Sequence, residues 1–190
     1  MNELKRIRWM KIRYKISCLM GKGHAKWLKK NNVFCKMGDN VLYQPDTLPN
    51  NPKLIAIGNN VRIASGVVFY EHDVINSLFV NMKDGVKWRT HHSCIDIRDN
   101  VFIGGHSVII GGGRGITIGP NVIIAGGSVI TKDVPPNSVV GGNPAKVIGE
   151  FEKFHEKRII VDGDKEFLTT QEETEILWRT FDEARSNEIK

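Results

Sequence analysis

The fold is decided by residues 97–148, which read IRDNVFIGGHSVIIGGGRGITIGPNVIIAGGSVITKDVPPNSVVGGNPAKVI. Aliphatic residues recur there every six positions, and the same spacing occurs earlier in the chain. We call the residues with this six-residue spacing the beat residues. They form three runs of three: Ile57, Ile63 and Phe69; Ile97, Ile103 and Ile109; and Ile118, Ile124 and Ile130. A period of six matches neither the 3.6-residue period of a helix nor the alternation of an ordinary strand. The chain therefore contains an internal six-residue repeat, grouped in threes.

A repeat of this kind is typical of a parallel β-helix, in which each short strand buries one side chain and then turns a corner. Four places after the beat stands a second small or branched residue, at Val61, Val67, Val101, Ser107, Val122, Ser128 and Val134. Residues that tolerate unusual backbone angles lie at the expected corners: Gly58, Gly104, Gly119, Asn59, Asn60, Asn100 and Asn121. Three hexads make one triangular coil. The predicted fold class is an all-β core shaped as a triangular prism, with a sandwich of short strands as the alternative.

The length and composition predict one domain with a helical extension at each end. The chain has 190 residues, 41% of them hydrophobic, which suffices for one core but not comfortably for two. We expect a basic helical segment at residues 1–32, a β-helix domain at residues 33–149 with a protruding loop at residues 73–96, and a helical extension at residues 150–190. In that extension, Thr170 and Glu173 form a candidate capping box for a final helix.

The first thirty residues hold ten basic residues against the single acid Glu3, in a chain of net charge +6. We predict a helix over residues 3–20 with apolar side chains on two opposite sides. This pattern favours a helix packed on the prism; peripheral contact of residues 1–30 with an anionic membrane is the alternative. No run approaches the roughly 18 apolar residues of a spanning helix, and charges interrupt any signal-peptide core. A cytoplasmic location is expected, with peripheral attachment to the inner membrane surface as the alternative.

Two further classes of function are disfavoured by composition. Cys18, Cys35 and Cys94 are widely spaced and form no CxxC pair, which argues against a disulfide framework or a thiolate zinc site. Aromatic residues are few and no DNA- or RNA-binding pattern occurs, so no nucleic acid partner is expected.

The hexads, closed by TKDVPPNSVVGGNPAKVI at residues 131–148, resemble the hexapeptide-repeat acyltransferases, and within them the galactoside, maltose and streptogramin O-acetyltransferases. The resemblance runs from about Met37 to Ile148. It implies a left-handed β-helix, a homotrimer, and acetyl-CoA bound as acyl donor in grooves between neighbouring chains. The activity that it implies is direct acetyl transfer to a hydroxyl of a sugar or a cell-surface glycan precursor.

The loop that interrupts the repeat after Phe69 carries the candidate catalytic residue. In the resembling enzymes a histidine at the start of such a loop serves as general base, and the matching residue here is His72. An imidazole can take the proton of a hydroxyl as it attacks the thioester, and return it to the departing thiolate. Asp73 should point away from this ring, because adjacent residues of an extended segment face opposite sides. Asp73 and Trp88 are candidate acceptor-binding residues.

The resemblance also implies the residues that contact acetyl-CoA. Gly105 and Gly126 would line its pantetheine arm, Thr131 and Lys132 would contact it further along, and Lys146 takes the place of an arginine that meets the phosphates. The insertion GGGRG at residues 111–115 is not followed by the GK[ST] of a phosphate loop, so we interpret it as an enlarged corner.

Other functions stay open on the sequence alone. An antibiotic O-acetyltransferase of the streptogramin type would share the framework, and a catalytically inactive scaffold would keep the prism. A zinc enzyme resembling the γ-type carbonic anhydrases would need two histidines five positions apart, a spacing that His72, His91, His92 and His106 do not show, so no metal is expected. His106 competes with His72, but the hexad count assigns the two to different corners of the prism.

Overall fold

The computed structural model describes residues 3–19, 24–82, 85–159 and 170–188. These residues form two compact units, Met1–Phe154 and His155–Lys190. The helices are α1 (Glu3–Leu19), α2 (His24–Lys30), α3 (Ile75–Asn81), α4 (Phe151–Glu156) and α5 (Thr170–Glu188). The strands are β1 (Lys36–Met37), β2 (Leu42–Tyr43), β3 (Ile55–Ile57), β4 (Arg62–Ile63), β5 (Val68–Tyr70), β6 (Ile95–Ile97), β7 (Val101–Ile103), β8 (Val108–Ile110), β9 (Ile116–Ile118), β10 (Val122–Ile124), β11 (Val129–Ile130), β12 (Ser138–Gly142) and β13 (Ala145–Glu150).

The strands of the first unit form three parallel sheets, which are the faces of the predicted prism. Face A contains β1, β3, β6 and β9; face B contains β2, β4, β7, β10 and β12; and face C contains β5, β8 and β11. Strand β13 turns back and pairs antiparallel with β12. Residues of the six-residue beat lie in register on each face, as in the stack of Ile63, Ile103 and Ile124. The predicted grouping of three hexads per coil is therefore confirmed.

The beat residues fill the interior of the prism. None of the nine is more than 5% exposed, and the second set, four places further on, is at most 6% exposed. Two members of that set are serines, and their buried hydroxyls are satisfied locally because Ser107 Oγ donates to Gly104 O and Ser128 Oγ to Ala125 O. A serine can therefore replace an aliphatic residue at this position.

Stacked asparagines form the corner between faces A and B. Each side-chain amide donates to the Oδ1 of the next asparagine at 2.8 to 2.9 Å. All have a positive φ between 52° and 58°, and in chain order they are Asn40, Asn60, Asn100, Asn121 and Asn137. The sequence assignment is thus confirmed for Asn60, Asn100 and Asn121. Asn59 lies at the same corner without a positive φ, and it donates its backbone N–H to Asp99 Oδ1 at 2.7 Å.

The glycine corners have two different causes. Gly119 has the positive φ of 86° that favours glycine. Gly58 and Gly104 do not share this feature, so the conformational reason given for them is wrong. A Cβ at Gly58 would overlap Asp99, and one at Gly104 would overlap the backbone of Gly126. These two positions need glycine because neighbouring coils stack closely there.

Helices α1 and α2 pack on the first coil of the prism. Tyr14 is buried against Tyr43, with 6.2 Å between ring centroids, and its hydroxyl donates to Pro45 O at 2.7 Å. Burial raises the pKa of both tyrosines above the ordinary value. Leu28 of α2 is also in the core. The predicted packing of the N-terminal helix on the prism is confirmed.

The second unit contains α5, a helix of 19 residues that begins at Thr170, where the sequence predicts it. The side chains of the predicted capping box, Thr170 and Glu173, lie outside the described residues. Within the described ranges, no helix combines the length and the apolar character that crossing a bilayer requires.

Candidate active site

The long loop leaves the prism after β5 and returns at β6. Its base is closed by an antiparallel bridge between His72 and His92, and Ser93 N donates to Glu71 O at 2.8 Å. The imidazole rings of the bridged pair are stacked, with centroids 5.7 Å apart. His72 therefore lies at the edge of face C rather than on the outer part of the loop.

The side chain of His72 is 19% exposed, and its two ring nitrogens have different surroundings. Nδ1 is buried and makes no hydrogen bond to the described residues. The atom facing it is Glu71 Oε1, 3.3 Å away. Glu71 is itself buried, and the same oxygen accepts the backbone N–H of Asn51. Catalytic hydrogen bonds are often long without substrate and tighten when it binds.

The other histidines of the sequence analysis lie in different surroundings. His91 Nε2 is 2.7 Å from Gly113 O, so the GGGRG segment forms an enlarged corner that contacts the loop. His106 lies at the corner between faces B and C with a φ of 58°, where its ring covers Gly66. His72 and His106 thus occupy different corners of the chain, as the hexad count predicts.

The two candidate acceptor residues both lie on the loop. Asp73 Oδ1 accepts the backbone N–H of Ile75 at 3.1 Å, at the start of α3. Its carboxylate is engaged there and does not contact the imidazole of His72. Trp88 packs on Phe79 with ring centroids 4.7 Å apart, and much of its indole is exposed. Both side chains remain predictions as acceptor contacts.

Three of the five predicted cofactor residues line a single cavity. Thr131, Lys132 and Lys146 surround about 270 Å³ between the end of β11 and the β12–β13 hairpin. Its remaining wall is mainly apolar and includes Pro144 and Val147. Gly105 and Gly126 do not line this cavity. They stack at the opposite end of β11, where Gly127 N donates to Gly105 O at 2.8 Å.

His72 and this cavity share one edge of the prism. Strands β5, β8 and β11 pair in register on face C, and His72 and Thr131 follow the ends of the outer two. Neighbouring strands lie about 4.8 Å apart, so these ends are separated by roughly 10 Å along the prism. The imidazole and the lysine-lined cavity therefore lie on the same corner, two coils apart.

The cavity suits one part of a coenzyme A molecule. Lys132 and Lys146 can meet phosphates as point charges, and the apolar wall can meet an aliphatic arm. At the stacked glycines, a Cβ on Gly126 would come within 3.3 Å of Gly105 O, so the absence of side chains leaves the backbone open to a ligand. Among the residues that the structure describes, no three His, Cys, Asp or Glu side chains converge as a metal site requires.

Sequence reasoning missed Glu71 and the pairing of His72 with His92. Phe69 points inward and Tyr70 outward, so the same alternation makes Glu71 an inward residue. A glutamate at an inward position just before the loop could have identified Glu71 as a buried carboxylate near His72. The His72–His92 contact had no such signal, because it depends on the path of a loop that leaves the repeat.

Comparison with known proteins identifies relatives among the acetyltransferases. No protein-family model matches the chain. Protein CapG of Staphylococcus aureus is 42% identical over 142 residues, which cover 74% of this chain and 78% of that protein. The galactoside O-acetyltransferase of Escherichia coli is 42% identical over 99 residues, or 51% of this chain and 44% of the relative.

Solved structures agree over a larger part of the chain. The hexapeptide-repeat-containing acetyltransferase of Vibrio cholerae is 27% identical with a TM-score of 0.58, covering 80% of this chain and 94% of that one. A galactoside acetyltransferase in complex with coenzyme A has the same identity and TM-score, covering 88% and 92%. The chain therefore belongs to the hexapeptide-repeat acetyltransferases, enzymes built on a left-handed parallel β-helix.

Proposed function

We propose that this protein transfers an acetyl group from acetyl-CoA to a hydroxyl of a sugar or glycan precursor, with His72 as general base. The observation that carries the proposal is the half-buried His72 imidazole on the same prism corner as the lysine-lined cavity. A sugar acceptor is supported by the galactoside acetyltransferases among its relatives.

The mechanism begins with the tautomer of His72. When substrate binds, the proposed bond from Nδ1–H to the buried carboxylate of Glu71 forms, which leaves the lone pair of Nε2 free for the acceptor hydroxyl. Nε2 takes the proton of this hydroxyl while its oxygen attacks the acetyl carbonyl, and the resulting imidazolium is stabilised by Glu71. The proton then passes from Nε2 to the departing sulfur. Glu71 is thus a positioning residue, and His72 alone exchanges protons with the substrates.

The thioester of acetyl-CoA supplies an activated acetyl group, so no covalent acyl-enzyme is needed. Lys132 and Lys146 neutralise its phosphates, and Thr131 borders the same cavity. Gly105 and Gly126 leave backbone groups exposed to the pantetheine arm at the other end of β11. The chain then has to hold the thioester near His72, which lies roughly 10 Å from the end of β11 along the prism.

A homotrimer is supported by the outward side chains of the three faces. Face A presents polar or small residues outward, including Lys36, Asp96 and Thr117. Faces B and C instead present exposed apolar residues, which include Phe102 on face B and Tyr70 on face C. Two apolar faces and one polar face are what a prism needs in order to pack against two neighbours around a threefold axis.

The test is acetyl-CoA-dependent transfer to a panel of sugars. Transfer is measured by the release of the free thiol of coenzyme A. We expect activity in the wild type and a loss of about 10²- to 10⁴-fold in kcat/KM for His72→Ala. The matched control is His91→Ala, a histidine of the same loop that contacts Gly113 O. Unchanged transfer by a folded His72→Ala protein would remove His72 as the base, while transfer to none of the sugars would reject the acceptor class.

A further inference from the structure

Helix α1 has two apolar stripes, and the fold uses only one. The inner stripe packs on the prism through Tyr14, with Met10 and Cys18 partly buried beside it. The second, outer stripe runs along the opposite side and is 50 to 89% exposed: Trp9, Ile12, Ile16 and Leu19. Its members are spaced three, four and three residues apart, so they share one side of the helix over roughly 15 Å. The part of the chain that the structure describes leaves this outer stripe exposed.

Basic residues flank the outer stripe on both sides. At 100° per residue, Arg8 and Lys15 lie along one border and Arg6 and Arg13 along the other. Lys5 lies within the stripe, near the start of the helix. No acidic residue occurs between residues 5 and 19. An apolar strip bordered by cations is the pattern of helices that lie in the interface of an anionic membrane.

A cationic cavity opens beside the outer stripe. It has a volume of about 380 Å³, and none of the described residues that line it is acidic. Two tryptophans, Trp9 and Trp27, form part of its wall with Arg6, Arg13 and Lys53. The guanidinium of Arg13 lies 5.9 Å over the ring of Trp27, and the ammonium of Lys53 is held by backbone carbonyls. These charges are therefore fixed in position at the edge of the exposed stripe.

We propose that this side of α1 docks on an anionic lipid membrane, with the outer stripe among the lipid headgroups and a headgroup phosphate in the adjoining cavity. The charges favour this occupant over a second copy of the helix, because two such faces would bring their basic borders together. Tryptophan at the edge of the stripe suits the interface between water and acyl chains. This inference goes beyond acetyl transfer and does not depend on it.

The test is sedimentation of the full-length protein with vesicles of phosphatidylcholine, with or without phosphatidylglycerol. We expect binding only when phosphatidylglycerol is present, and weaker binding as salt is raised. Ile12→Ser with Ile16→Ser should abolish binding. Arg8→Gln with Lys15→Gln should weaken it by about fivefold for each charge removed.

Matched variants distinguish this docking from nonspecific binding to vesicles and from self-association. Ile176→Ser with Leu177→Ser removes a similar exposed apolar pair from α5, and Lys157→Gln with Arg179→Gln removes the same charge; neither pair should change vesicle binding. Light scattering of the Ile12/Ile16 variant should give the wild-type mass. A changed mass would assign the outer stripe to a contact between copies and overturn the proposal. Equal binding to neutral vesicles, or no binding at all, would overturn it as well.

Discussion

At the scale of single residues, the buried carboxylate of Glu71 lies beside Nδ1 of His72, which leaves Nε2 as the proposed base. Glu71 Oε1 lies 3.3 Å from His72 Nδ1 and is fixed by the backbone N–H of Asn51. Asn51 belongs to the proline-rich segment between β2 and β3. This segment, which interrupts the repeat, therefore supports the carboxylate beside the proposed base.

Glu71→Gln should lower kcat by about 10- to 100-fold, the value of one hydrogen bond to a charged group. The amide is neutral and cannot stabilise the imidazolium that forms during transfer. KM for acetyl-CoA should not change, because Glu71 does not line the lysine cavity. Steady-state kinetics against the matched change Asp96→Asn, on face A, would test this. A rise in KM at constant kcat would assign Glu71 to donor binding instead.

Lys132→Ala and Lys146→Ala should each raise KM for acetyl-CoA about fivefold, the value of one exposed charge pair. Neither should change kcat, because neither lies at the acetyl group in our proposal. The dependence of KM on salt should become weaker in both variants. Lys157→Ala, an exposed lysine of the second unit, is the control. A fall in kcat without a change in KM would place these lysines elsewhere in the mechanism.

Residue-scale prediction from the sequence succeeds where the repeat fixes the direction of a side chain. Every beat isoleucine is buried, because the beat position is one of the two in each hexad that point into the prism. Glu71 was missed although its inward direction follows the same alternation, because contact between adjacent residues was excluded by that rule. The exclusion fails at the end of β5, where a long glutamate reaches the neighbouring ring.

At the scale of elements, the asparagine corner joins coils that are far apart in sequence. Asn100 accepts from Asn60 and donates to Asn121, both at 2.9 Å, and its φ is 58°. Asn100 thus supplies a tolerated left-handed conformation together with one bond to each neighbouring coil.

Asn100→Ala should lower the free energy of unfolding by about 2 to 3 kcal/mol, because it loses both amide bonds and strains the backbone. Asn100→Gly keeps the conformation accessible and should cost about 1 kcal/mol less. Urea denaturation followed by circular dichroism would measure both values. If alanine and glycine proved equal, the positive φ would contribute nothing to the stability of this corner.

A second contact between coils should make stability depend on pH. The backbone N–H of Asn59, and then its side-chain amide, hold the pKa of the Asp99 carboxyl below its ordinary value of 3.8. Because the folded-state pKa is the lower one, this carboxylate stabilises the fold above about pH 4, and the contribution is lost as the pH falls through the folded-state pKa. Asp99→Asn should therefore lower the urea midpoint at pH 7, by an amount that shrinks as the pH falls below about 4. A deficit that is constant with pH would contradict this.

The elements differ in how well the sequence predicts them. The strands follow from the hexad beat, and α1 follows from its apolar spacing. Helix α3 was not predicted, because its seven residues lie in the loop and lack the repeat. Its sequence INSLFVN is rich in residues that suit strands as well as helices, so tertiary context decides its conformation.

At the scale of the whole molecule, the faces of the prism differ in what they present to the outside. The core pattern is the same in all three, so the repeat predicts the fold without predicting the assembly. The difference lies in the outward residues between the beat positions: Thr117 on face A, Phe102 on face B and Val68 on face C. These outward positions are not part of the six-residue pattern, so the pattern does not predict them.

A single charge at the centre of an apolar face should therefore dissociate the assembly without unfolding the chain. Phe102 is exposed in the middle of β7, and Phe102→Glu would bury a carboxylate at each proposed interface, which is strongly unfavourable without a partner. We expect the wild type to have three times the 21.4 kDa mass of one chain by light scattering, and the variant to have the mass of one. The control, Thr117→Glu, adds the same charge to the middle of β9 on face A. This variant should keep the wild-type mass. Since the family resemblance implies a donor groove between neighbouring chains, acetyl transfer should fall with the mass in Phe102→Glu and persist in Thr117→Glu. Dissociation by the face A variant alone would reverse the assignment of the faces, and an active single chain would show that the groove needs no neighbour.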